Sequence, residues 1–396
     1  MRKSFSIVAF ALAALVLVRV ATMVVVPPFE PSEARYAAIS ANMARKGDWF
    51  VPRFTYNGEY QVFAGKPPFV FQAAALACKA IGVSEFAVRV PAFVSWLALL
   101  ALLYHSVGKA SSRESAALAV AICASTVSIY AISGMCMTDA PLVCCVSGAL
   151  LLYATRDTSD YPAIAFLLAM GTIIKGPVAL AQFGLPVLAD AAMSRRLPPL
   201  PLRRTLLSAA VFLAVVVPYY AAVEAAQPGF LTYFLVNENL MRFLVHDYGD
   251  RYGAGRETFR GMAAVWTLVV TLPWSLVPVV RRRLPSLSFH MLATMAITLF
   301  WCLTSRVPLS YLLPVAPLFA AHLATHPREF GLEAAQVKRL VPVAAVISCV
   351  VLCASFSFTY GFNRKKMPGA SAPQKVSDHY FSYEFYHGPW GKGAPR

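Results

Sequence analysis

The stretch EPSEARYAAISANMARKGDWFVPRFTYNGEYQVFAGKPPF, residues 30–69, separates two long apolar runs. It sets Glu33, Arg35, Arg45, Lys46, Arg53 and Lys66 among Tyr36, Trp49, Phe50, Tyr56 and Tyr60. Charges are costly in hydrocarbon, so this segment belongs at a membrane surface or in a wet cavity. Interleaved aromatics and cations suit an interfacial site that holds a lipid headgroup, above all a phosphate. A solvated loop with snorkelling side chains is the plainer alternative.

Working outward, the rest of the chain has the composition of a membrane protein. Hydrophobic residues make up 58% of the 396 and charged residues 14%, against roughly 25% charged in soluble domains. Several runs reach the ~20 residues needed to cross ~30 Å of hydrocarbon. Spans are predicted near 5–27, 88–105, 114–134, 139–155, 161–174, 176–192, 205–223, 260–280, 286–304, 309–325 and 339–360. That makes an all-α polytopic bundle of about eleven helices. The run 161–174 is short enough to be tilted or partly buried. Arg2 and Lys3 before an apolar stretch resemble a signal peptide, but Pro27-Pro28-Phe29-Glu30 is a poor cleavage site, so a retained first helix is expected.

Basic loops set the orientation. With Arg2 and Lys3 inside, the inner loops carry Lys109 and Arg113, Arg156, Arg195 to Arg204, Arg281 to Arg283, and Arg328 to Arg339. The outer side then receives two long segments, 28–87 and 224–259, and the tail 361–396. The membrane domain is therefore 1–360. The tail, rich in Gly, Pro and aromatics, fits a small cap and a disordered end equally well. A net charge of +16 would suggest nucleic acid in a soluble protein; spread over loops on both sides, it fits anionic lipid surfaces instead. No nucleic-acid partner is expected. The eight cysteines lie almost wholly in apolar runs without metal spacing and read as small core residues. No internal repeat or paired broken helices suggest a transporter.

Within the outer loop, Ser32 is placed to cap a helix that runs through Arg45 and stops at Gly47. Tyr36, Ile39 and Met43 share a face, which predicts a helix lying along the membrane surface. Ser32 and Arg35 also share a face, while Glu33 points elsewhere.

PSEARYAAISANMARKGDWFVPRF…NGEYQVFAGKPP resembles the first outer loop of the protein O-mannosyltransferases and lipid A aminoarabinose transferases, roughly PDEARYAEIAREM…GDWlvP…NG…yfEKPP. These are membrane glycosyltransferases of the GT-C fold. MTDAPL (137–142), KGPVAL (175–180), FLVNENLMRFL (234–244), TLPWSLVP (271–278) and SRVPLSYLLPVAPL (305–318) follow in the family's order. Each motif is weak alone; their sequence over residues 1 to about 325 is specific.

The resemblance implies transfer of a sugar from a polyprenyl phosphate to a lipid A, glycan or protein acceptor. The reaction would take place at the outer face of a bacterial inner membrane, with the N-terminus cytoplasmic. Lys66 matches the donor-phosphate lysine of KPP, and Arg35 a phosphate- or acid-orienting arginine. Arg242 matches the arginine of an EHxxRF segment, Tyr311 a tyrosine near the donor, and Asp139 an active-site acid. Lys175 would reach the same face. Cations suit the charge that develops on a phosphate leaving group, and a carboxylate suits the acceptor proton.

Three departures stand out. The first acid of PDEAR is Ser32, leaving Glu33 of the pair as the catalytic candidate beside Asp139; the acid before KPP is Gly65; the histidine of EHxxRF is Asn239. In aminoarabinose transferases the last two positions share a metal ion, so no metal and no cofactor is expected here. A non-catalytic relative that binds lipid-linked sugars or scaffolds glycan assembly is the alternative that Ser32 raises.

Overall fold

The computed structural model describes residues 2–29, 31–56, 59–241, 244–245, 258–304, 306–364 and 381–388. The chain is a helical membrane bundle, and the predicted spans all fall on helices. In chain order the first are α1 (Arg2–Val25), α2 (Ser32–Lys46), α3 (Phe69–Ile81), α4 (Glu85–Ala110), α5 (Arg113–Ala124), α6 (Val127–Ile132) and α7 (Asp139–Ala154). Next come α8 (Tyr161–Lys175), α9 (Val178–Ser194), α10 (Leu202–Ala226), α11 (Met262–Val270) and α12 (Leu276–Arg281). The chain continues with α13 (Phe289–Cys302), α14 (Val315–Thr325), α15 (Ala334–Arg364) and α16 (Phe381–His387). Two predicted spans are each divided between two helices, 114–134 into α5 and α6, and 260–280 into α11 and α12. Among the described residues, four helices are long and apolar enough to cross a membrane on their own, within α1, α4, α10 and α15.

The bundle is built around α7, whose residues are buried from Asp139 through Tyr153. A helix apolar all round is one enclosed by others, and α7 lies between α4 and α8. The short run at 161–174 becomes α8, packed against α7 and α10. Glycines let these helices close up: a Cβ on Gly148 would stand 2.7 Å from a Leu102 methyl, and one on Gly171 2.9 Å from Ala179.

The described residues of the predicted outer loop 28–87 fold into a compact layer. The helix α2 ends at Gly47 in the left-handed conformation (φ 84°), as the sequence predicts, but Ser32 is its first residue and makes no side-chain cap. Nor does α2 lie with one face on lipid. It is buried from Glu33 to Met43 except at Arg35, because Ala34, Ala37, Ala38 and Ala41 leave room for neighbours on several sides. These neighbours are α3, the strand Arg53–Tyr56 and α16. That strand pairs antiparallel with Glu59–Val62, Arg53 opposite Val62, a hairpin inside the predicted loop.

Of the two readings of the tail, residues 381–388 adopt the cap. Glu384, fully buried, accepts from Asn42 Nδ2 (2.7 Å) and from the Thr55 backbone N–H (2.8 Å). Arg45 donates to the Phe385 carbonyl (2.8 Å), Tyr386 donates to Glu85 (2.8 Å), and Phe381 stacks on Tyr56 at an interplanar angle of 9°.

Burial raises the Glu384 carboxyl to about 7, outweighing the two donors and Arg45. A folded pKa above the unfolded value means that docking of α16 is penalised while the group is charged. The penalty is relieved as pH falls through 7 toward the ordinary carboxylate range. Hydrogen exchange should therefore show protection of 381–388 rising between pH 8 and pH 5, and Glu384→Gln should flatten that dependence. Protection that falls on acidification would show the carboxylate form to be the docked one.

Candidate active site

The ends of α7, α8 and α9 meet the outer layer at one cavity of about 440 Å³. Its polar lining is Lys66, Lys175, Gln182, Glu238, Asn239, Thr304, Arg306 and Tyr311; the rest is apolar, from Leu142, Val178 and Phe234 to Phe300 and Trp301. Three cations thus face a largely hydrocarbon chamber.

Each lysine is presented by a stiff turn. Lys66 precedes Pro67 and Pro68, which fix the backbone into α3. Its ammonium donates to the Gly65 carbonyl (2.5 Å) and lies 3.6 Å from Glu238. Lys175 ends α8 and is followed by Gly176 at φ 81°. The Lys175 ammonium donates to Asp139 at 2.9 Å, and their side chains are only 8% and 6% exposed. It also lies 4.8 Å from the centre of the Tyr311 ring, a cation–π contact. Asp139, at the first turn of α7, reaches the cavity through this lysine.

Glu238 and Asn239 sit in a π-helix, Tyr233–Met241. Such a helix is rare and places residues five apart in register. Tyr233 accordingly donates to Glu238 Oε1 (3.1 Å), and Asn239 Nδ2 donates to the Phe234 carbonyl (2.7 Å). Across the cavity Gln182, 1% exposed, donates to the Tyr311 carbonyl (3.0 Å).

The predicted residues divide into two groups. Lys66, Lys175 and Tyr311 line the cavity, with Asp139 joined to it. Arg35 is not among its lining residues: its guanidinium lies over Tyr36, Phe63 and Phe381, closest to Phe63 at 5.3 Å. Glu33 is also elsewhere, 1% exposed against Arg89. Glu33 Oε1 accepts from Arg89 Nε (2.8 Å) and the Cys136 N–H (2.9 Å), while Oε2 accepts from Arg89 Nη2 (3.2 Å) and the Phe29 N–H (2.9 Å). Arg242 lies outside the described residues. Among those described, no group of three His, Cys, Asp or Glu side chains is placed to hold a metal ion.

The sequence reading did not single out Glu238, Gln182 or Arg306. The first was within sight, in the FLVNENLMRFL segment read for Arg242 and Asn239. Gln182 sits in an apolar run, where a buried amide is itself a signal of function.

Residues 65–221 match the family model described as dolichyl-phosphate-mannose-protein mannosyltransferase. The chain is 27% identical over 319 residues to the undecaprenyl phosphate-alpha-4-amino-4-deoxy-L-arabinose arabinosyl transferase of Aeromonas salmonicida, covering 74% of this chain and 55% of that protein. It is 27% identical over 305 residues to the enzyme of the same name from Serratia proteamaculans, covering 73% and 54%. The chain therefore spans little more than half the length of these relatives. In structure it resembles ArnT from Cupriavidus metallidurans bound to undecaprenyl phosphate, with a TM-score of 0.74 and 17% identity over 96% of this chain and 84% of that one. The chain is thus similar in sequence to these transferases and shares the GT-C fold of the ArnT structure.

Gly176 lies between the lining residues Lys175 and Pro177, and a Cβ there would stand 2.7 Å from the Phe234 ring. Its backbone region is one that residues with a side chain avoid at a cost on the order of 1–3 kcal/mol. Gly176→Ala should lower the melting temperature of the purified protein and displace Phe234. An unchanged melting curve would show that the wall yields freely.

Proposed function

We propose that the chain transfers a sugar from a polyprenyl phosphate donor to an acceptor at the periplasmic face of a bacterial inner membrane. The observation that carries this reading is the convergence of Lys66, Lys175 and Arg306 on a chamber whose remaining walls are mostly apolar. That combination matches an amphiphile with an anionic head and a hydrocarbon chain. Soluble phosphosugars would have no use for the apolar walls, and an uncharged lipid none for the cations.

In this reading Lys66 and Arg306 hold the donor phosphate and stabilise the charge left on it as the glycosidic bond breaks. Asp139 keeps Lys175 in place over Tyr311, from where the ammonium faces the same charge. Arg242 is assigned to the donor side by its motif. Arg35 supports the site from outside, its cation clamped among aromatic rings. Glu33 has a comparable supporting part: with each oxygen already accepting two hydrogen bonds, it holds the loop rather than a substrate proton. The sugar follows the relatives' donor, 4-amino-4-deoxy-L-arabinose, and the acceptor is a lipid A, glycan or protein. The basic inner loops support a cavity on the periplasmic side.

Engagement of Glu33 by Arg89, together with Ser32 in the family's acid position, favours one other reading: a non-catalytic relative that binds the lipid-linked sugar without transferring it. Both readings require the phosphate seat.

Lys66→Ala should weaken binding of undecaprenyl phosphate to the purified protein by ~1–3 kcal/mol, the worth of a charge-assisted hydrogen bond. Titration in detergent micelles or nanodiscs measures it. Wild-type affinity in a folded Lys66→Ala variant would remove the cavity as the donor site.

A further inference from the structure

We infer that the groove between α12 and α15 is a binding site for an anionic glycerophospholipid, separate from the donor cavity and in the opposite leaflet of the membrane. The groove has a volume of about 290 Å³ and is walled by Trp274, Leu276, Val280, Leu340, Val343 and Ile347, with Arg281 among its lining residues.

The mouth of the groove and the cavity lie at opposite ends of the bundle. Phe300 and Trp301, near the end of α13, line the cavity. Phe289, at the start of α13, packs on Tyr153 and lies against the Arg156 guanidinium. Arg281 to Arg283 come shortly before that start. Between them and Phe289, Ser286 donates through its N–H (2.8 Å) and hydroxyl (2.7 Å) to Glu329, which follows the far end of α14.

The shape fits one lipid chain. Leu340, Val343, Ala344 and Ile347 form a stripe at helical spacing on α15, and Arg339 stands one turn before Val343 on the same side. From Leu340 to Ile347 the stripe rises about 10 Å, against ~15 Å for one leaflet of a ~30 Å hydrocarbon layer. Trp274 precedes α12 and so lies at the end away from Arg281. It is buried, and its indole donates to Ser125 Oγ (3.2 Å), which makes a fixed floor.

The charge at the mouth selects the head. Elsewhere on this face cations have carboxylates: Lys109 has Asp157 (2.7 Å) and Asp160 (2.9 Å), Arg156 has Asp190 (2.6 Å), Lys338 has Glu114 (2.5 Å) and Arg328 has Glu333 (3.5 Å). Arg281, Arg282, Arg283 and Arg339 are exposed, and their side chains have no hydrogen bond or ion pair among the described residues. Arg282 leaves α12 in the left-handed conformation (φ 50°), its N–H returning to the Val279 carbonyl (3.2 Å) and that of Arg283 to Pro278 (3.1 Å). The three arginines are thus held in one closed turn at the groove mouth. Guanidinium groups bind phosphate oxygens in pairs. A phosphodiester without an amine keeps its net charge for them, whereas a zwitterionic head brings a second cation to a surface already positive.

The purified chain, stripped of lipid in detergent, is titrated with dioleoylphosphatidylglycerol or dioleoylphosphatidylcholine, and native mass spectrometry counts the lipids retained. One phosphatidylglycerol per chain is expected to persist where phosphatidylcholine is lost. Arg281→Gln with Arg339→Gln should weaken it by about ten-fold or more, since each cation near an anionic surface is worth several-fold in binding. Val343→Trp fills the groove with the arginines intact and should also lose the lipid; Val343 is 55% exposed, so the larger ring does not disturb the core. Arg195→Gln with Arg196→Gln, exposed cations outside the groove, should retain it. Equal retention of both lipids overturns the inference, as does equal loss in the Arg195 and Arg196 variant, which marks diffuse charge. Unchanged binding in Val343→Trp removes the groove. A dimer that Val343→Trp disperses gives the groove to a second copy instead. Undecaprenyl phosphate that displaces the phosphatidylglycerol likewise overturns it, because the two sites are then one. A chain that retains phosphatidylglycerol but fails to bind undecaprenyl phosphate upholds this inference and overturns the proposed function.

Discussion

The buried pair of Glu33 and Arg89 is the constraint on which the outer half of this molecule depends. Burying two charges is expensive and is repaid only when every donor and acceptor is satisfied. Here all five guanidinium N–H groups have partners. Two reach Glu33, and the others reach the carbonyls of Met23 (3.1 Å), Val26 (2.5 Å) and Pro27 (3.3 Å). Those carbonyls are at the end of α1, where a helix leaves acceptors unpaired and favours a cation. One ion pair therefore joins the exit of α1, the first turn of α2 and the second turn of α4. Through the Cys136 N–H it also fixes the turn that leads into α7 at Asp139. Arg19, fully buried in α1, secures the other side of that turn through Ser133 Oγ (3.1 Å) and the Ala131 carbonyl. Its approach requires Gly134, where a Cβ would lie 2.5 Å from Arg19 Nε.

The cavity is thus assembled on helix ends that cannot drift independently. Its lysines come from unrelated parts of the chain, yet each meets a carboxylate from another element: Lys66 with Glu238, Lys175 with Asp139. Such pairing holds long side chains near the positions in which they would meet an anion, so less ordering remains for binding to impose. The two pairs differ in tightness, 3.6 Å for Lys66 with Glu238 and 2.9 Å for Lys175 with Asp139. Apolar walls around them lower the local dielectric and strengthen every charge interaction inside.

The outer layer is small for the work it does. A hairpin, the short helix α3 and the segment 381–388 together enclose α2, with Glu384 bridging Asn42 and Thr55. Arg35 joins that layer through three aromatic rings, one of them Phe381. The orientation of the KPP turn, which follows the hairpin directly, is therefore coupled to packing some three hundred residues later in the chain (~300, a long-range closure whose entropic cost grows only slowly with loop length).

Much of the architecture was legible in the sequence, because hydrocarbon imposes its demands locally. An apolar run must be helical to satisfy its own backbone, so the spans, the loop at 28–87 and the stop at Gly47 could be read from neighbouring residues alone. The motifs likewise pointed to Lys66, Lys175, Tyr311 and Asp139, each beside a proline, a glycine or a helix start that restricts its backbone. Partnership was not legible. Nothing near Glu33 in the chain announces Arg89, and nothing near Asn42 announces Glu384; opposite charges far apart in sequence find one another only when the helices between them are packed. The same holds for α2, whose single apolar stripe suggested a membrane surface while its alanines were waiting for neighbours on the other sides. Glu238 was hidden for a further reason. A helix of ordinary pitch sets residues three and four apart on one face, whereas the π-helix aligns Tyr233 with Glu238, and that change of pitch was decided by the tertiary structure.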